Sequence, residues 1–306
     1  MTALRDSDAG AIYPSSETVH QQVQVDADGA PGVVLALGGG FSRGFAHLGV
    51  IEVLEQERIP IAGIVGTSIG SLLGAAFADG IAIRELCDLG SRVRIRDFIG
   101  FQKARPEFHR NDRIGQFVRE RFRASTVEEL HIPMRIVTTD VDTCAPYVFS
   151  RGPLDVAIRA SCAFPGLFEP VEYEGRTLAD GCIIAPVPTA TAARMNAGCV
   201  LGVAVNSGVS SAAAFAGGAD QGSKGTQAIR RGDRPSPSWI RTADVMLEPE
   251  VHEIGWDDFS RVDEAHDAGA KAMRAALPRL RELLSRACER KSAAESFRHL
   301  ESRMGP

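Results

Sequence analysis

Twice within residues 33–78 a short apolar run ends in glycines and gives way to a helical stripe, and this repetition restricts the possible folds more than anything else in the sequence. The first run, Val33-Val34-Leu35-Ala36-Leu37, does not alternate with polar residues, so it predicts a strand buried on both faces. It runs into Gly38-Gly39-Gly40, after which Phe45, Leu48, Ile51 and Leu54 fall three apart and predict a helix to about residue 56. The second run, residues 59–65 (IPIAGIV), leads to a glycine turn at 66–70 and a Leu- and Ala-rich helix at 71–78, closed by Asp79-Gly80. Strand, glycine turn, helix, repeated, is the pattern of a parallel sheet covered on both faces, so the expected fold class is α/β, a three-layer α/β/α sandwich around a mostly parallel sheet.

The rest of the chain extends that plan. Strand character returns at residues 134–139, 147–149, 200–205 and 243–247, and residues 171–180 read as a hairpin. The polar residues 1–32 are expected to form a loosely ordered tail, followed by a folded domain over 33–290. Within it the Ser-, Gly- and Ala-rich stretch 207–238 reads as a flexible insertion, and residues 291–306 as a charged helical tail. The stripe Leu277, Leu280, Leu284 and Ala287 is read as a core-facing helix.

Three constellations can carry chemistry. Gly66-Thr67-Ser68-Ile69-Gly70 is a G-x-S-x-G pentapeptide between an apolar strand and a helix, the setting in which a tight turn lifts a serine hydroxyl above a sheet edge. The competing reading makes Ser68 only the N-cap of the following helix. Gly38-Gly39-Gly40-Phe41-Ser42-Arg43-Gly44 also lies between strand and helix, where successive backbone N–H groups can converge on an anion. A dinucleotide fingerprint fits poorly because its third glycine falls on Arg43, and a phosphate-binding P-loop would need a Gly-Lys-Ser/Thr that is missing. An oxyanion hole is the better reading. The third constellation is Asp180-Gly181, set among small and apolar residues where desolvation would raise a carboxylate's pKa and improve it as a base. Asp79-Gly80 and Asp28-Gly29 are read as plain turns.

No histidine has a comparable setting. His252, His266 and His299 lie in charged segments and are expected to face solvent, and His47 reads as a structural helix residue. Neither H-x-x-x-H nor H-E-x-x-H occurs, so no metal and no cofactor is expected. A net charge of −5 argues against a nucleic-acid partner, although residues 92–123 hold ten basic side chains against four acidic ones. That segment is read as a solvated face or as a peripheral contact with an anionic membrane surface. Six cysteines without paired spacing, no leader-like start and no apolar run of about 20 residues lead us to expect a cytoplasmic protein, peripheral at most to a membrane.

Four ordered blocks, LALGGGFSRGFAHLGVIEVLE, IAGIVGTSIGSLLGA, ASCAFPGLFEPVEYEGRTLADGCIIAPVP and ADVMLEPEVHEIGWDDFSRVDEAHDAG, together resemble the patatin-like lipid acyl hydrolases, in particular the short bacterial branch similar to the neuropathy target esterase catalytic domain. The resemblance implies a patatin-like sandwich and a lipid acyl ester as substrate. It implies Ser68 as nucleophile in the elbow Gly66, Thr67, Ile69 and Gly70, and Asp180 as its base, followed by Gly181 and Cys182. The oxyanion hole would fall on Gly39, Gly40, Phe41, Arg43 and Gly44. Two positions depart from the family pattern: Phe41 replaces the third loop glycine, where a positive φ becomes costly, and Cys182 replaces a smaller residue. A thioesterase, acyltransferase or polyester depolymerase would suit the same site, as would a non-catalytic acyl-lipid binding protein.

Overall fold

The computed structural model describes residues 32–94, 112–195, 198–206 and 242–304, with side chains as far as residue 292. The tail 1–31, the centre of the basic segment (95–111), the 207–238 stretch and the side chain of His299 lie outside the described residues.

Eight strands among them form one sheet: β1 (Val33–Leu37), β2 (Ile61–Thr67), β3 (Met134–Asp140), β4 (Ala145–Phe149), β5 (Val171–Tyr173), β6 (Arg176–Asp180), β7 (Cys199–Val203) and β8 (Val245–Leu247). Their order is β5-β6-β3-β2-β1-β7-β8, with β4 paired to β3 off that path. The pairs β1–β2, β1–β7, β2–β3 and β7–β8 are parallel, while β3–β4, β3–β6 and β5–β6 are antiparallel. The helices are α1 (Ala46–Gln56), α2 (Ile69–Ala78), α3 (Ile83–Arg92), α4 (Asp112–Arg121), α5 (Leu154–Ser161), α6 (Thr189–Ala192) and α7 (Val262–Met304).

The unbroken apolar run of β1 is explained by two cores. Val33, Leu35 and Leu37 pack with Leu48, Ile51, Leu73 and Met273 of α1, α2 and α7. Val34 and Ala36 point the other way and join Val65, Val137 and Ala192 on the face carrying α6. Both faces of a parallel strand are thus covered, and polar alternation would leave charges inside. Leu35 and Leu37 are fully buried, each contributing roughly 1.5–3 kcal/mol.

Register brings the chain's special residues to one end of the sheet. Leu37 pairs with Gly66 on one side and Val203 on the other, so β1, β2 and β7 end level. Thr67 pairs with Val137, and Thr138 of the same strand pairs with Asp180. Ser68, one residue past Thr67, and Asp180 therefore flank β3 at Thr138, two residues before that strand ends.

The structure moves some expected boundaries. β2 runs two residues later than residues 59–65, absorbing Gly66 and Thr67, and α2 begins at Ile69, so the expected turn at 66–70 shrinks to Ser68 alone. The first helix is preceded by a 3-10 turn, Phe41–Phe45. The hairpin at 171–180 forms as β5–β6, and the C-terminal helix continues without a break from residue 262 through Pro278 to 304. Leu280 is fully buried, Leu277 and Ala287 nearly so, and Leu284 packs at the edge of the core. Cys162, Cys182 and Cys199 are buried, Cys87 and Cys144 half-buried and Cys288 exposed, all as free thiols. Among the described residues no helix is long and apolar enough to cross a membrane.

Candidate active site

Ser68 is the single residue between β2 and α2, and its backbone has φ 53 and ψ −126, a conformation that costs a non-glycine residue on the order of 1–3 kcal/mol. Hydrogen bonds hold it there: its N–H donates to Ser161 Oγ at 2.9 Å, and its carbonyl accepts from the Ser71 hydroxyl at 2.6 Å and the Ser71 N–H at 2.8 Å. Ser161 Oγ in turn donates to the Val137 carbonyl at 2.7 Å. A Cβ on Gly70 would come within 2.3 Å of the Leu37 carbonyl oxygen, so only glycine lets α2 start this close to β1.

The N-cap reading of Ser68 fails on the direction of its side chain. The hydroxyl caps nothing; it donates to Asp180 Oδ2 at 2.7 Å, a buried contact between residues 112 positions apart. Asp180 Oδ1 accepts the Cys182 N–H at 2.8 Å, and the residue's own N–H and carbonyl are tied to the Ala163 carbonyl and Thr139 hydroxyl. Asp180 is fully buried, and desolvation, opposed by the bonds from Ser68 and Cys182, pushes its carboxyl up to about 6. Such a carboxylate is mostly ionised at pH 7 and a far better proton acceptor than an ordinary aspartate. Asp79-Gly80, by contrast, is the turn expected of it, with Gly80 at φ 92.

No described histidine hydrogen-bonds Ser68 or Asp180. His47 is fully buried on α1, where Nε2 meets the Gly38 carbonyl at 2.7 Å and Nδ1 has no partner. Burial pulls this imidazole down to about 4 against the pull of that carbonyl, so it is neutral at physiological pH and donates from Nε2. His252 is exposed as expected, but His266 is not, its side chain being 17% exposed and 3.5 Å from Glu52. Among the described residues no three His, Cys, Asp or Glu side chains converge on a metal position.

The glycine loop lies against the serine. A Cβ on Gly39 would meet Cys182 Sγ at 2.0 Å and Ser68 Cβ at 3.1 Å, which also places the Cys182 thiol directly against the loop. Burial holds that thiol well above its ordinary pKa, so it stays protonated. Phe41 adopts φ 50, the strained conformation its position was expected to require, and its ring stacks edge-on against Phe164 at 5.9 Å and Trp256 at 5.1 Å. Gly44 packs on Ile69, while Thr67 Oγ1 donates to the Ala185 carbonyl at 3.1 Å, bracing the elbow from its strand side.

Two expected oxyanion contributors have other partners. The Gly39 N–H donates to the Pro186 carbonyl at 3.1 Å and is not available to an anion in this conformation. Arg43 turns its guanidinium to the Ile254 carbonyl at 2.7 Å, the His252 carbonyl at 3.4 Å and Asn206 Oδ1 at 3.3 Å, so it clamps distant chain rather than lining an anion site. Ser42 does likewise, donating its hydroxyl to the Gly255 and Trp256 carbonyls. Among the described residues the Gly40 N–H has no acceptor, which leaves it the free donor of the triple glycine. The roles of Ser161, Asn206 and Trp256 were invisible to sequence reasoning, since each acts on chain far from itself.

Ser68 opens into a cavity of about 330 Å³ lined by apolar side chains that include Phe41, Ile69, Leu72, Phe117 and Phe168. That volume is at the lower end of what small-ligand sites show. Its charged lining residues are Arg92 and Arg121, the exposed last residues of α3 and α4.

Residues 35–193 match the family model described as patatin-like phospholipase. An uncharacterized NTE family protein of Mycobacterium tuberculosis is 37% identical over 187 residues, covering 60% of this chain and 52% of that protein. The lysophospholipase NTE1 of Mycosarcoma maydis is 34% identical over 184 residues, and patatin-like phospholipase domain-containing protein 6 of Homo sapiens 29% over 188, covering 56% and 57% of this chain but only 10% and 13% of theirs. The chain thus spans about half the length of the mycobacterial relatives it matches and a small part of the others. VipD of Legionella pneumophila shares the fold, with a TM-score of 0.52 over 84% of this chain and 67% of that one at 13% identity.

Proposed function

The chain belongs to the patatin-like phospholipase family, and from that premise we propose that it hydrolyses acyl esters of lipids, as a phospholipase A, lysophospholipase or esterase, through a Ser68–Asp180 dyad. The observation that carries this reading is the 2.7 Å hydrogen bond from Ser68 Oγ to a fully buried carboxylate, with Ser68 lining an apolar cavity. In the first step Ser68 Oγ attacks the ester carbonyl carbon and its proton passes to Asp180 Oδ2. The tetrahedral oxyanion is stabilised by backbone N–H groups of the glycine loop, Gly40 foremost. The intermediate then expels the alcohol, which takes the proton from Asp180 and leaves an acyl-serine. Water attacks that ester, giving a proton to Asp180, and the fatty acid departs as Ser68 Oγ recovers it.

The apolar cavity receives the acyl chain. Arg92 and Arg121 favour a lipid carrying an anionic headgroup or presented on an anionic surface, an attraction worth about 1 kcal/mol per cation near such a surface. Comparing hydrolysis of a phospholipid, a lysophospholipid, a p-nitrophenyl ester and an acyl-CoA by wild-type and Ser68→Ala protein tests the reading. Ser68-dependent release of fatty acid from the oxygen-ester lipids is expected. Turnover confined to the acyl-CoA points instead to a thioesterase, and turnover that survives Ser68→Ala removes the dyad from the chemistry.

A further inference from the structure

The three glycines of the loop differ in how their backbone groups are occupied. Gly38 donates its N–H to the Val203 carbonyl at 3.1 Å and its carbonyl accepts from His47. Gly39 donates to Pro186, and its carbonyl accepts Asn206 Nδ2 at 3.0 Å. Gly40 accepts the Arg43 N–H at 3.2 Å, but its own N–H finds no acceptor among the described residues. The peptide joining Gly39 to Gly40 is trans, so its C=O and N–H point in opposite directions. Holding the Gly39 carbonyl therefore also fixes the aim of the Gly40 N–H. Asn206 holds that carbonyl, while the α-carbon of Gly39 is so near the nucleophile that an added Cβ would lie 3.1 Å from Ser68 Cβ.

We infer that Asn206 is a positioning residue for ester hydrolysis: by holding the Gly39 carbonyl it aims the Gly40 N–H at the oxyanion that forms when Ser68 attacks. The inference rests on the Ser68 hydrolase reading given above. Orientation of the carboxamide is fixed by its second contact, since Oδ1 accepts from Arg43 while the amide nitrogen faces the Gly39 carbonyl, and a flip would set donor against donor and acceptor against acceptor. Arg43 thereby acts through Asn206, with its own guanidinium anchored on the Ile254 and His252 carbonyls. The relay runs from residues 252–254 through Arg43 and Asn206 to the Gly39–Gly40 peptide, and it gives the arginine of the loop a task that needs no contact with substrate.

The test uses full-length wild type, Asn206→Asp, Asn206→Ala and Ser68→Ala with a p-nitrophenyl ester. Beside turnover it measures inhibition by a trifluoromethyl ketone, which adds to serine as an oxyanion, against a matching alcohol that only occupies the cavity. Asp is the size of Asn and still pairs with Arg43, but it cannot donate to a carbonyl. Both Asn206 variants are expected to lose about 10- to 100-fold in kcat, with KM within about twofold. They should lose a similar factor in ketone affinity and none in alcohol affinity. An Asn206→Asp protein with wild-type kcat and ketone affinity overturns the positioning role and leaves the serine reading standing. Absence of Ser68-dependent hydrolysis in the wild type overturns that reading and the inference with it. Should Asn206→Ala fail to fold, the isosteric Asn206→Asp decides the matter.

Discussion

The two glycine turns, after β1 and after β2, have the same strand-turn-helix layout but deliver different things. The turn after β2 presents a side chain: its one residue, Ser68, is forced to φ 53 so that a hydroxyl stands over the sheet edge. The turn after β1 presents the backbone of three glycines; beyond them Ser42 and Arg43 turn away, while the Phe41 ring lines the cavity. They also differ in what holds them. The elbow is held by Ser71 three residues on and, from farther along the chain, by Ser161 and the Ala185 carbonyl. The glycine loop has His47 nearby on the Gly38 carbonyl, but most of its partners, among them Pro186, Val203, Asn206, Ile254 and Trp256, come from the C-terminal half of the chain. A side chain can be aimed by its own backbone torsions, whereas an N–H is aimed only by fixing the whole peptide plane, and that takes partners on both of its edges.

This contrast can be broken or sharpened by substitution. Ser68→Ala should have the largest effect, a loss of at least about 10⁴-fold in kcat measured with a chromogenic ester, because the delivered group itself is gone. Asp180→Asn is next, about 10²- to 10⁴-fold, with an opposite effect on stability. Its folded-state carboxyl titrates near 6 against 3.8 unfolded, so folding favours the protonated form, and stability is lost as pH rises between those values. At pH 8 the Asn variant should therefore be more stable than wild type, by as much as ~3 kcal/mol in chemical denaturation. In the wild type the same titration should make kcat/KM fall about tenfold per pH unit below about 6.

Smaller effects separate the two turns. Gly39→Ala drives a methyl into Cys182 Sγ and should cost about 1–3 kcal/mol in thermal unfolding, with part of that recovered in Gly39→Ala/Cys182→Ala. Ser161→Ala leaves the buried Ser68 N–H and the Val137 carbonyl without their partner, for about 1–3 kcal/mol and a drop in fluorophosphonate reaction rate of about tenfold. If Ser161→Ala instead leaves the rate of serine modification untouched, the elbow holds its shape without help and the contrast in support is greater than described.

The parts that were legible in the sequence are those whose signal is local. β1 could be read because a strand buried on both faces cannot alternate, and the elbow because a one-residue turn between strand and helix demands small neighbours. Asp180 could be read from its small and apolar neighbours, although it meets Ser68 across 112 positions. Read from the sequence, β2 ends at residue 65, two residues early, because Gly66 reads as a turn; in the sheet Gly66 is a strand residue paired with Leu37, where the start of α2 leaves no room for a side chain. Taken alone, the loop sequence points Gly39 and Arg43 to anion binding. In the folded chain they meet the Pro186 carbonyl and the His252 and Ile254 carbonyls, from segments whose approach to the loop is a property of the folded sheet. Asn206 carries no motif, and only the position of β7 beside β1 brings it to Gly39.

The central claim is that Ser68 is a nucleophile activated by Asp180, and reaction with a fluorophosphonate probe tests it most directly, since the probe modifies only a serine that is both activated and accessible. Full-length wild type should label stoichiometrically at pH 7.5, Asp180→Asn far more slowly, and Ser68→Ala not at all. Labelling that is absent in the wild type, or that persists unchanged in Ser68→Ala, would contradict the account.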